Sequence, residues 1–137
     1  MLGPMASLER FHHVALTVSD LDRSVEWYRR ILGFVELFRE EGPERRACVL
    51  GFAGGGHSVG LVQHSASDGT PFSPIRTGLD HLAFSVDSLE AMHEWADRLA
   101  SAGVQHSGVI DIPPGAILNV TDPDGIALAL FWDRAAP

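Results

Sequence analysis

One stretch of this chain occurs twice, and that repeat constrains the fold more than any other feature. The first copy is His13-Val14-Ala15-Leu16-Thr17-Val18, running on to Leu21, Glu26, Trp27 and Arg30. The second is His81-Leu82-Ala83-Phe84-Ser85-Val86, running on to Leu89, Glu94, Trp95 and Arg98. The offset is 68 residues throughout, with seven identities in the eighteen positions from 13 to 30. Unrelated sequence would give about one, so the repeat reads as a duplicated structural unit.

Each copy opens with the same local pattern. Phe11 to Val18 is apolar and β-branched and reads as a strand. Alternation puts His13, Ala15 and Thr17 on one face and Val14, Leu16 and Val18 on the other. Ser19 or Asp20 supplies an N-cap for a helix carrying Leu21, Val25, Tyr28 and Leu32 at helical spacing, and Gly33 closes it. Strands are expected near 34–39, 46–52 and 58–64, with Gly42-Pro43 and Gly54-Gly55-Gly56 as connections. The glycine triplet lacks the following Lys-Ser/Thr of a phosphate loop.

Residues 65–78 carry no periodic pattern and read as a linker. The order then repeats: a strand over 79–86, a helix capped by Ser88 and ended by Gly103, and strands near 104–110, 116–121 and 126–132. Asp122-Pro123-Asp124-Gly125 is a turn sequence, with Pro fixing φ and Gly allowing it to be positive. The fold class is therefore α+β, two β-α-β-β-β modules in tandem. Module one covers 11–64 and module two 79–132, within a single domain over 11–137 preceded by an extension at 1–10. A pseudo-twofold would pair the sheets around an open-barrel cleft with the helices outside, making His13 and His81 symmetry mates.

Composition excludes several functions. No apolar run approaches the roughly 20 residues of a membrane span. A net charge of −8 disfavours nucleic acid and anionic membranes as partners. One cysteine, Cys48, cannot form an internal disulfide, which points to a reducing cytoplasm. Met1 to Leu8 lacks the basic and apolar regions of a signal peptide, and the second Met at position 5 suggests that Met1 to Pro4 is an added extension.

These motifs resemble the vicinal oxygen chelate superfamily, which includes glyoxalase I, extradiol dioxygenases and bleomycin-resistance proteins. The resemblance rests on His13 followed seven residues on by Asp20-Leu21, on Trp27-Tyr28 and Leu32-Gly33-Phe34, on Leu79 to Val86, and on Asp122-Pro123-Asp124-Gly125. It implies that each module of a metal-dependent member offers one ligand from its first strand and one, typically Glu, from its last. The first-strand ligands carry over to His13 and His81. Under the 68-residue offset the last-strand positions are Leu61 and Ala129, neither of them a donor.

Two imidazoles and two carboxylates would neutralise a divalent ion, whereas two imidazoles alone would leave its charge uncompensated in an apolar cleft. Zinc in catalytic sites usually takes three protein ligands. The leading expectation is thus a binding protein without a cofactor, holding an apolar or aromatic small molecule. Its cleft residues would be His13, Ala15, Phe38, Leu61, Gln63, His81, Ala83, Ala129 and Phe131. The alternative is a lyase, isomerase or dioxygenase using zinc, nickel or iron on His13 and His81 with a substitute third ligand. A third reading uses the His pair for metal-free proton transfer. His12 is expected on the helix side or an edge, Trp27 and Trp95 as packing pieces, and Trp132 as a possible cleft-mouth residue. The resemblance further implies a homodimer.

Overall fold

A computed structural model describes residues 3 and 5–135. Met1, Leu2 and Pro4 of the suggested extension, and Ala136 and Pro137, lie outside the described residues. The order is β1 (His13–Thr17), α1 (Leu21–Leu32), β2 (Val35–Glu41), β3 (Arg45–Gly51), β4 (Ser58–His64), β5 (Leu82–Ser85), α2 (Leu89–Ser101), β6 (Ile110–Ile112), β7 (Gly115–Thr121) and β8 (Ala127–Asp133).

Helix α1 forms where its caps and its apolar stripe agree. The Asp20 carboxylate accepts the backbone N–H of Arg23 at 3.1 Å, and Leu21, Ser24, Val25, Tyr28 and Ile31 form the buried stripe. Gly33 ends it at φ 78°, donating to the Arg29 carbonyl while Phe34 donates to that of Tyr28. In α2 the Ser88 hydroxyl accepts from Ala91 N–H at 3.0 Å, and Met92 and Leu99 are the buried positions.

The strands make two four-stranded sheets, β1-β4-β3-β2 and β5-β8-β7-β6. In each, the first strand of the module runs parallel to the last and the other pairs are antiparallel. The barrel is not closed. Helix-facing side chains of both sheets join both helices in one hydrophobic core, including Leu16, Leu21, Tyr28, Leu50, Leu61, Met92, Leu99, Leu118, Leu128 and Leu130.

The turn at 122–125 fastens module two to α1. Asp122 Oδ1 accepts from the backbone N–H groups of Asp124 and Ile126, both at 2.9 Å, while Oδ2 accepts the Tyr28 hydroxyl at 2.9 Å. Asp124 accepts from Ser19 and lies 3.4 Å from the Arg23 guanidinium. Phe84 packs against the Phe34–Phe52 pair, with ring centroids 5.4 and 6.0 Å away.

Three local differences from the sequence reading have physical causes. The strand expected over 104–110 shrinks to Ile110–Ile112, because Gly108 takes φ 77° and donates to its neighbour His106 Nδ1, leaving only a bridge between His106 and Val120. A bulge falls between Glu36 and Phe38 on β2, an edge strand. Trp132 follows Leu128 and Leu130 in parity and packs on the core beneath Arg134, so it does not line the opposite sheet face.

Candidate functional site

The parity of the first strand fixes which face is available. Along residues 13–18 exposed and buried positions alternate: His13, Ala15 and Thr17 face solvent, while Leu16 and Val18 enter the core. Residues 81–86 repeat this, with His81, Ala83 and Ser85 exposed and Leu82, Phe84 and Val86 turned inward. Both sheets therefore present the face opposite their helices to solvent, and each carries one histidine at its start.

The parallel registers then identify the last-strand partners. Ala15 pairs with Gly60, and Ala83 pairs with Ala129. Gly60 and Ala129 are thus the equivalent positions, and the offset between the last strands is 69 rather than 68. A one-residue slip in a strand exchanges its faces. Leu61, expected in the cleft, pairs instead with Leu16 and is wholly buried in the helix-side core. Gln63 shares that side, where its Oε1 accepts the first free N–H of α1, from Leu21, at 2.8 Å. His64 has the parity of Gly60 and is exposed. The missed signal lay in the strand itself. The bulky apolar pairs Val59/Leu61 in β4 and Leu128/Leu130 in β8 flank the small Gly60 and Ala129.

On the open face of the first sheet lies a cavity of about 350 Å³. Its lining combines the polar and charged His12, His13, Glu40, Arg45 and Ser58 with Ala15, Phe38, Ala47, Cys48, Val49, Gly60 and Val62. His13, Ala15 and Phe38 are thus brought together as expected residues of one cavity. His81, Ala83, Ala129 and Phe131 belong to the second sheet, Phe131 pairing with Ser85 on the open face. None of those four lines the His13 cavity.

His12 lies beside β1, an edge strand of its sheet. It lines the same cavity as His13, with the two Nδ1 atoms 2.8 Å apart. His81 has a corresponding neighbour: its Nδ1 lies 2.7 Å from Asp80 Oδ1. Among the described residues, no group of three or more His, Cys, Asp and Glu side chains is close enough to hold a metal ion. Cys48 pairs with Leu61 on the core side, and burial pushes its thiol up to about 11. It is a packing residue.

On the first sheet and α1 several charged groups are paired. Arg39 contacts Glu36 and Asp22 at 2.5 and 2.6 Å, and Arg46 contacts Glu41 at 2.6 Å. These hydrogen bonds hold all three carboxyls below their ordinary range. Trp27 packs against the core and Trp95 carries Arg98 over its ring at 4.1 Å.

Residues 10–130 match the model of the Glyoxalase/Bleomycin resistance protein/Dioxygenase superfamily. A lactoylglutathione lyase of Arabidopsis thaliana is 30% identical over 98% of this chain and 48% of its own length. The chain thus spans about half the length of the plant relatives it matches. A lactoylglutathione lyase of Escherichia coli O157:H7 is 28% identical over 93% of this chain and 95% of its own. The crystal structure of a glyoxylase/bleomycin resistance protein/dioxygenase domain from Frankia sp. EAN1pec superposes with a TM-score of 0.86 at 39% identity, over 93% of this chain and 100% of that one. No helix among the described residues is long and apolar enough to cross a membrane.

Proposed function

The chain belongs to the glyoxalase/bleomycin resistance protein/dioxygenase superfamily, and we propose that it is a small-molecule-binding member. Its ligand, apolar or aromatic, would lie against the open sheet faces without a complete metal site. The carrying observation is that the two last-strand positions on those faces are Gly60 and Ala129. Neither residue offers a donor atom. The charge of a divalent ion would rest on neutral imidazoles alone, so the donor set does not fit a four-ligand site.

The cavity supports this reading. Its volume is at the lower end of the range for small-ligand sites, and its lining includes the apolar Ala15, Phe38, Ala47, Val49 and Val62. Phe38 supplies an aromatic wall, and His12 and His13 supply polar atoms that can orient a ligand. We read the functional unit as a homodimer, since the open faces of one chain would be covered by the modules of a second. The buried, lone Cys48 fits a cytoplasmic setting.

A second reading is favoured by the names of the relatives, which support it better than they support the first. It is a metal-dependent lyase, isomerase or dioxygenase using His13 and His81, with zinc, nickel or iron held by a substitute third ligand. Elemental analysis of untagged protein, then titration with zinc, nickel and ferrous iron, separates the two. The binding reading expects no stoichiometric metal, and an intact His13→Ala variant that changes only the affinity for aromatic ligands in a thermal-shift screen. Near-stoichiometric metal that is lost in His13→Ala, together with activity toward lactoylglutathione, would establish the second reading instead.

A further inference from the structure

The repeat that duplicates His13 as His81 also relates the residues just before them, and there the two copies have diverged. His12 stands where Asp80 stands in the second module. Each of these residues touches the Nδ1 atom of the histidine that follows, at 2.8 Å for His12 and 2.7 Å for Asp80. The contact is therefore a shared feature of both modules, but its chemistry differs between them.

An ionised carboxylate has no proton to give and can only accept. A neutral imidazole in contact with it through Nδ1 must carry its hydrogen there, which leaves Nε2 with a free lone pair. An imidazole neighbour carries no such instruction. In the His12–His13 contact either ring can donate, so His13 can present Nε2 as acceptor or as N–H donor. We propose that Asp80 is a positioning residue that fixes His81 in the Nδ1–H form, and that the two symmetry-related histidines are thereby made unequal. While neutral, His81 then offers an electron pair at Nε2; His13 adapts to either polarity.

This rests on the reading of the open sheet faces as a ligand site, and it narrows the ligand class. The group opposite His81 must itself bring a proton or a positive centre: a hydroxyl, phenol, enol or thiol, or a cation. A carbonyl or ether oxygen finds no partner on that ring. His13 accepts either kind of group, so the restriction on ligand chemistry lies at His81 alone.

Long-range proton–nitrogen NMR of the uniformly ¹⁵N-labelled full chain, without ligand and at a pH where histidine rings are neutral, reads the tautomers directly. In the wild type His81 should show an N–H-type Nδ1 and a lone-pair-type Nε2, whereas His13 should show averaged shifts for both nitrogens. Asp80→Ala should return His81 to the Nε2–H form that an unrestrained side chain favours, and Asp80→Asn, which keeps an acceptor oxygen, should largely restore the Nδ1–H form. Backbone spectra of both variants should match the wild type, since the Asp80 side chain is 77% exposed. A wild-type His81 in the Nε2–H form, an Asp80→Ala variant with unchanged ring shifts, or a His13 locked like His81 would each overturn the assignment. The ring shifts report the tautomer whether or not the cleft binds anything, so failure here is distinct from failure of the binding reading.

Discussion

Tyr28→Phe tests the fastening between the modules, because it removes one oxygen atom and leaves the packing of the ring in place. In the wild type the hydroxyl is buried and donates to Asp122 Oδ2 at 2.9 Å. The other oxygen, Oδ1, already takes the N–H groups of Asp124 and Ile126. Oδ2 has no other side-chain or backbone partner among the described residues, so the variant leaves a buried carboxylate oxygen bare. A hydrogen bond to a charged group is worth about 1.5–3 kcal/mol, and orphaning its acceptor places the loss in the upper half of that range. We expect a loss of about 2–3 kcal/mol. Burial already pushes the Asp122 carboxyl up from its ordinary value, so uptake of a proton caps the loss.

At roughly 4 °C per kcal/mol for a domain of this size, the melting temperature should fall by about 8–12 °C. Urea unfolding of the wild type, Tyr28→Phe, Asp122→Asn and the double variant completes a cycle, which should show a coupling of about 1–2 kcal/mol. A Tyr28→Phe variant within about 0.5 kcal/mol of the wild type, or a coupling indistinguishable from zero, would refute the view that this contact holds the modules together.

Three further outcomes follow from the same geometry. Gly115→Ala should fail to fold or lose several kcal/mol, about 3 or more, because an added Cβ would sit 1.8 Å from the Trp132 carbonyl oxygen; wild-type stability in urea would show that the β7–β8 approach is wrong. Cys48 should react with a thiol reagent only as the protein unfolds, its thiol being buried and pushed up to about 11, and rapid labelling of the native chain at pH 8 would contradict this. Asp22, Glu36 and Glu41 are held below their ordinary values by Arg39 and Arg46, so their contribution is present above the ordinary carboxylate range and is lost as pH falls through the lowered values. The urea midpoint should therefore drop on acidification, less steeply in Arg39→Ala and at high salt; identical slopes would count against the pairing.

The two-module architecture was legible because it rests on repeats, caps and alternation, which are local. Asp20, Gly33 and Ser88 sit at the helix ends as the sequence reading expected. The solvent-facing side of the first strand was equally legible from His13, Ala15 and Thr17. The last strands were not. Carrying the 68-residue offset into them assumed that no residue had been gained between the first and last strands of module two, and the parallel register shows that one had. That single residue moved Leu61 and Gln63 from the ligand face to the core and put Gly60 in their place. The contact of His12 with His13 was not legible for another reason. His12 precedes β1, where strand parity no longer governs direction, and its contact with His13 is a side-chain event.

The fastening between Asp122 and Tyr28 joins positions 94 residues apart, whereas each sheet is built from residues of its own module. Closing so long a loop costs chain entropy before any contact repays it. Loop length therefore favours an order in which the sheets and helices form within modules before docking through the 122–125 turn. Contacts absent from the folding transition state govern how fast the native state comes apart rather than how fast it forms. The turn is thus a latch on lifetime. A chain released at this point would bare each module's share of the common core, which could then dock on another chain's half instead of its own.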